Sequence, residues 1–264
     1  MRGYTLDELD QSLRTLGLKP GDTVMMHSAL FALGRLKGIP TASYPARIYE
    51  TIRGVIGDEG TLVVPAFNFG FCRGRVFDRQ RTPADGMGNL SEYVRTLPGA
   101  HRSPHPMQSV AAVGPMAEKI CRPDTTGAFD IRGAFSMLLD CHARLLLLGC
   151  GFVWAAIAHY VEERVGVPYR FWKNFTGTYR DAACESIRTY SLYARDLEAN
   201  PNVDPTPVGL TLLDEGLARQ VRLGRGLVQC TSCRDFVDVG LRLLREDRLA
   251  LIHSRSLESF NIGP

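Results

Sequence analysis

The chain has 264 residues, 45% hydrophobic and 22% charged, which is ordinary for a soluble protein long enough to bury a real core. Its 31 basic and 28 acidic residues leave a net charge of +3 with no basic stripe. That excludes a typical nucleic-acid binder, although a small ligand bearing phosphates needs only a few cations.

The first eight residues hold no apolar signal core, and the longest aliphatic run, residues 145–148, is far short of a membrane span. Seven widely spread cysteines read as free thiols, so a cytoplasmic protein with neither membrane nor nucleic-acid partners is expected. Thr5 followed by Glu8 has capping-box spacing, and Leu6, Leu9, Leu13 and Leu16 continue a helix that Gly17 stops. Residues 23–27 read as a short buried strand, 28–34 as a turn or short helix, 47–54 as a helix, and 60–65 as a strand closed by Pro65. A polar loop with four arginines runs over 67–88, and loops of that length are often functional.

Residues 90–95 predict a helix, 109–114 a strand, 143–149 the clearest buried strand, and about 155–165 the helix after it. Strands alternating with helices imply an α/β layered domain. The pattern weakens from Pro168. Residues 200–207 read as an irregular connector, and 210–217 and 236–245 as helices. No boundary divides the chain, so one domain over 1–264 is expected.

Three segments carry groups with chemical potential. His159 and Glu162 lie one helical turn apart on one face, after the strongest strand, where α/β folds place sites. A histidine is the commonest general base near neutral pH, and a carboxylate beside it raises its basicity. The same spacing also suits a surface histidine beside a solvated glutamate. Arg102, Ser103, His105 and Ser109 share a proline-stiffened loop that reads equally as an anion cradle or a rigid turn. Ser28, Ala29, Leu30, Phe31 and Gly34 follow the first strand, where small residues let a backbone approach phosphates; simple packing is the alternative. There is no HExxH, no GxSxG, no P-loop, no GxGxxG and no pair of CxxC motifs, so no metal is expected. Cys230 and Cys233 have CxxC spacing but no second pair, and read as structural cysteines.

Taken in order, MMHSALFALG (25–34), GTLVVPAFNF (60–69), FDRQRTP (77–83), RSPHPMQSVAAVG (102–114), LLLLGCGF (145–152) and AHYVEERVGVPYR (158–170) resemble the aminoglycoside 3-N-acetyltransferase family. The resemblance implies a single three-layer α/β/α domain with a mostly parallel or mixed sheet. It implies N-acetylation with acetyl-CoA, or another acyl-CoA, as co-substrate and no covalent enzyme intermediate. His159 would be the general base and Glu162 its partner. Ser28, Ala29, Leu30, Phe31, Gly34, Arg102, Ser103, His105 and Ser109 would hold CoA. Residues 1–175 would form the CoA-binding and catalytic core, and 176–264 the acceptor side. The partner would be a small-molecule amine, with a homodimer left open.

The chain departs from the family pattern at residues 153–158, where Asn or Asp and then Thr often precede the histidine; here the stretch is VWAAIA. Few carboxylates lie near the helix (Glu162, Glu163, Asp181, Glu185), although a polycationic antibiotic calls for many. A nucleotide-linked amino sugar or natural-product amine is therefore an alternative acceptor. An inactive CoA-binding scaffold is a third reading.

Overall fold

A computed structural model describes residues 3–197 and 202–253. Its strands are β1 (Thr23–Ser28), β2 (Thr61–Pro65), β3 (Phe77–Asp78), β4 (His101–Arg102), β5 (Val110–Val113), β6 (Arg144–Leu148), β7 (Arg170–Asp181), β8 (Cys184–Arg195), β9 (Arg219–Leu223) and β10 (Gly226–Ser232). Seven of them form one sheet in the order β4-β5-β2-β1-β6-β10-β9. β2, β1 and β6 are parallel at its centre, with antiparallel strands on both flanks, so the sheet is mixed.

The sheet is central because its middle strands are apolar on both faces. In β1, Val24 and Met26 face one core while Met25 faces the other; in β6, Leu146 and Leu148 oppose Leu145 and Leu147. The helices are α1 (Leu6–Thr15), α2 (Leu30–Leu33), α3 (Tyr44–Ile56), α4 (Asn89–Arg95), α5 (Ala117–Cys121), α6 (Ala134–Asp140), α7 (Ala158–Val165), α8 (Thr206–Asp214) and α9 (Cys233–Glu246). Helices α1, α3 and α4 bury Leu9, Leu13, Ile48, Ile52, Leu90 and Val94 on the first face. Helices α5 to α9 cover the second, with Ile120, Phe135, Val161, Leu212 and Phe236 inside. The result is the expected three-layer α/β/α arrangement. Among the described residues, no helix is long and apolar enough to cross a membrane.

The N-terminal reading holds in detail: Thr5 and Glu8 exchange both capping-box hydrogen bonds, and Gly17 takes φ 89°. Other expectations shift. The helix expected over 155–165 begins at Ala158, after a 3-10 turn over Phe152–Trp154. The helix expected over 210–217 runs over Thr206–Asp214, with Pro207 in its first turn, the position that suits a residue lacking N–H. Of the expected connector over 200–207, residues 200 and 201 lie outside the described residues.

The main omission is β7 and β8. They pair antiparallel along twelve residues each and, with β3, make a second sheet over a small core of Phe71, Phe77, Met107, Tyr179 and Tyr190. Most of their residues are exposed or half-buried, so the sequence carries no strict alternation to announce them. β9 and β10 were also missed.

Candidate active site

The site lies at the carboxyl ends of the parallel strands. Ser28 at the end of β1 sits in register with Leu148 at the end of β6, so the chain leaves both strands side by side. Gly149, at φ 75°, makes that possible: a Cβ there would stand 2.7 Å from the Ala29 carbonyl oxygen and 2.8 Å from Leu33. Between the two departures opens a cavity of about 730 Å³, lined by Ser28, Ala29, Leu30, Phe31 and Gly34 on one side and Cys150, Val153, Trp154, Ala155 and Ala156 on the other. The lining is mostly apolar or small, and Phe31 and Trp154 stand exposed. All five expected residues of the 28–34 segment therefore share one cavity.

A second cavity, of about 900 Å³, lies against the β7–β8 hairpin, lined among others by Phe171, Lys173, Phe175, Tyr193 and Arg195. His159 and Val203 line both cavities.

His159 is held from behind. Its Nδ1 lies 2.6 Å from Glu162 Oε2, and the edge of Phe129 fixes the ring at a centroid distance of 5.6 Å. Glu162 is fully buried, yet it stays ionised because Arg170 Nε stands 2.9 Å from the same oxygen. Burial acts to raise the Glu162 pKa, but the His159 hydrogen bond and the charges of His159 and Arg170 outweigh it and leave the pKa below the ordinary carboxylate range. Burial, followed by the charge of this carboxylate, pushes the Tyr169 phenol pKa up.

Arg170 Nη2 approaches His159 Nδ1 at 3.0 Å, but one nitrogen cannot donate to Glu162 and accept from Arg170 together. An ionised carboxylate only accepts, so we assign the proton to Nδ1. That leaves the Nε2 lone pair free toward the cavities. Among the described residues Nε2 has no hydrogen bond, and the side chain is 31% exposed.

The other histidines are poorer bases. His27 lines the first cavity, but burial and then the charge of His159 lower its pKa to about 4. His105 is lowered to about 4 by burial. Its Nε2 donates to the Ser191 carbonyl at 3.0 Å, and its Nδ1 accepts from the Gln108 N–H at 3.2 Å.

The loop expected to cradle phosphate is built differently. Arg102 is only 6% exposed; its Nε donates to Ser109 Oγ at 2.9 Å, and its other nitrogens donate to the carbonyls of Thr82, Ala66 and Arg79. Burial lowers its pKa to about 9, so it is still a cation at neutral pH, stacked over Phe77. Ser109 donates to the Ala66 carbonyl, and Ser103 Oγ accepts from the Val110 N–H. With His105 also inward, the four polar groups tie the loop to the 66–82 segment and to β8, and line neither cavity. The carbonyls that receive Arg102, His105 and Ser109 from outside the loop lie far away in sequence, so the loop alone reads as open.

Arg170 and Tyr169 are the site residues that the sequence reading did not single out. They close the string AHYVEERVGVPYR, but only the start of β7 brings them back beneath His159.

A protein-family profile described as aminoglycoside 3-N-acetyltransferase matches residues 25–245, well over half of the chain. The chain belongs to that family. Among curated relatives, aminoglycoside N(3)-acetyltransferase III of Salmonella sp is 27% identical over 190 residues, covering 65% of this chain and 65% of the relative, so the match spans slightly less than two thirds of that protein. The crystal structure of aminoglycoside acetyltransferase AAC(3)-Xa aligns with TM-score 0.78 and 25% identity over 94% of this chain and 93% of the other. AAC-IIIb, solved as a binary complex with CoASH, aligns with TM-score 0.78 and 22% identity over 92% and 96%, a likeness of fold. Members of the aminoglycoside 3-N-acetyltransferase family are thus similar to this chain across both the sheet and the hairpin that forms the second cavity.

Proposed function

We propose that this family member transfers an acetyl group from acetyl-CoA to an amine of an aminoglycoside or related amino sugar, in one step, with His159 as general base. The observation that carries the reading is the placement of His159 on the wall shared by two cavities, with Nδ1 tied to Glu162 and Nε2 free. The first cavity suits acyl-CoA: it is mostly apolar and bordered by backbone that leaves two strand ends. The CoA-bound relative of the same fold is consistent with that use.

Acetyl-CoA supplies the acyl group already activated as a thioester. The residues of the chain manage the proton. An ammonium has no lone pair for attack, so it first gives one proton to solvent; as the neutral amine nitrogen then bonds to the acyl carbon, Nε2 of His159 takes its next proton. Glu162, ionised beneath the ring, stabilises the imidazolium that forms. The proton then passes to the departing sulfur, restoring neutral His159. Glu162 is fully buried and acts through His159, not on the acceptor.

A second reading concerns the acceptor, and the second cavity favours it. Apart from Arg170, whose charge is paired to Glu162, its described lining offers Lys173 and Arg195 against the single carboxylate Asp196, with four aromatic rings. Such a wall suits an amine with an apolar or anionic body better than a polycation.

The test is thiol release from acetyl-CoA with a panel of amines. Turnover that requires an amine acceptor supports the transfer reaction, and no thiol release with any amine removes it. Kanamycin- or gentamicin-type drugs having the highest kcat/KM in competition would remove the second reading alone.

A further inference from the structure

With Arg102 committed inside the protein, the phosphates of CoA need other cations. We propose that Arg225, on the turn between β9 and β10, anchors those phosphates, with Arg35 and Lys37 beside it. This rests on the acyl-CoA reading of the first cavity.

The turn is fixed against the mouth of that cavity. Arg225 N–H donates to the Leu33 carbonyl at 3.0 Å, and its Nη2 donates to the Phe31 carbonyl at 2.8 Å. Phe31 and Gly34 line the cavity on either side of Leu33. Gly224 allows this closeness: it has φ 58°, and a Cβ there would lie 2.1 Å from the Leu33 carbonyl oxygen and 3.3 Å from the Tyr4 ring. Tyr4 in turn ties down the other two cations, accepting from Lys37 N–H at 2.8 Å and donating its own N–H to the Arg35 carbonyl at 3.0 Å. Tyr4 therefore joins the Arg225 turn to the segment that follows Gly34.

Charge makes the case. Arg225, Arg35 and Lys37 are exposed, and none has an ion-pair partner among the described residues. Nothing in the fold needs three unpaired cations there. The Phe31 contact uses one of the five guanidinium N–H groups and leaves a fork for phosphate oxygens. The polarity of the ligand agrees. If the thioester lies at His159, the nucleotide end must extend away from it, and Gly34 and the exposed Phe31 line the same cavity. The contact is made equally before and during reaction, so it sets KM and not kcat.

The experiment compares acetyl-CoA with S-acetylpantetheine, which carries the same thioester without phosphates. Arg225→Gln removes the charge but keeps the backbone N–H that donates to the Leu33 carbonyl, so the turn stays anchored. Expected is a rise of roughly tenfold in KM for acetyl-CoA with kcat unchanged, and kcat/KM for S-acetylpantetheine within about twofold of wild type. The double variant Arg35→Ala/Lys37→Ala shows the same selectivity more weakly, and Arg225→Lys restores part of the affinity. Calorimetry with CoA gives matching losses in binding. Unchanged acetyl-CoA KM in Arg225→Gln overturns the proposal, as does an equal loss with both thioesters, which marks a merely structural turn. A wild-type protein that binds no CoA removes the acyl-CoA reading as well; one that binds CoA while Arg225→Gln binds equally removes this inference alone.

Discussion

Glu162→Gln tests the arrangement behind His159. The side chain is fully buried, and Arg170, whose side chain is 9% exposed, depends on it for charge balance. Removing one partner of a buried pair leaves the other charge desolvated, at about 3–5 kcal/mol. The Tyr193 carbonyl, which Arg170 Nη1 reaches at 3.1 Å, offsets only part of that. Small domains have ~5–15 kcal/mol in all, so the variant folds but unfolds at markedly lower urea. Turnover also falls. The amide can donate to Nδ1 as readily as accept from it, so the productive tautomer loses its advantage and no charge opposes the imidazolium. A loss of about 10- to 100-fold in kcat is expected, less than removal of the base itself costs.

The assays are urea unfolding and steady-state kinetics with the best amine of the panel. Adding Arg170→Met removes the orphaned cation, so stability recovers in part while kcat does not. Acid stability should change too. The Glu162 pKa is depressed in the folded state, so its contribution is complete above the ordinary value of 4.5 and disappears as pH falls through the lower folded value; Glu162→Gln lacks that term. Near-normal kcat in Glu162→Gln would refute the reasoning. A rise in acceptor KM alone would show that Glu162 reaches the substrate.

His159→Ala should lower kcat by about two orders of magnitude or more with CoA affinity retained, and alkaline pH should restore part of the rate because more amine is then neutral; a normal rate at neutral pH removes the mechanism. Arg102→Ala should act on stability, by roughly 3 kcal/mol or more, since it strips donors from the Thr82 and Ala66 carbonyls; its unfolding midpoint falling while acetyl-CoA KM stays constant is the expected pair of results, and a KM effect alone would return Arg102 to the phosphates. His27 and His105 are held neutral with pKa about 4, below the 6.5 of an unfolded histidine, so each withdraws on the order of 3 kcal/mol of stability as pH falls from 6.5 to 4. Urea midpoints measured across that range should drop steeply, and a flat profile would contradict their burial.

The sequence by itself determined the layered core. The apolar runs at 23–27, 60–65 and 143–149 can be buried only as central strands, and the capping box at Thr5 sets where α1 begins, because these signals are local and periodic. It also determined that His159 and Glu162 share a helix face, since i and i+3 positions always do. The tertiary structure alone decided what each group faces. The second sheet has no clean alternation, because its strands are exposed along much of their length, yet it supplies Arg170 to Glu162 and a wall to the second cavity. Arg102 reads in sequence as a cation on an open loop. Its direction is set by carbonyls 20 to 36 residues away, which close around it only once β2 and the 67–88 loop are in place. Local spacing fixes which residues share an element; the partners of a charge come from long-range packing, and they decide whether it binds a ligand or the protein itself.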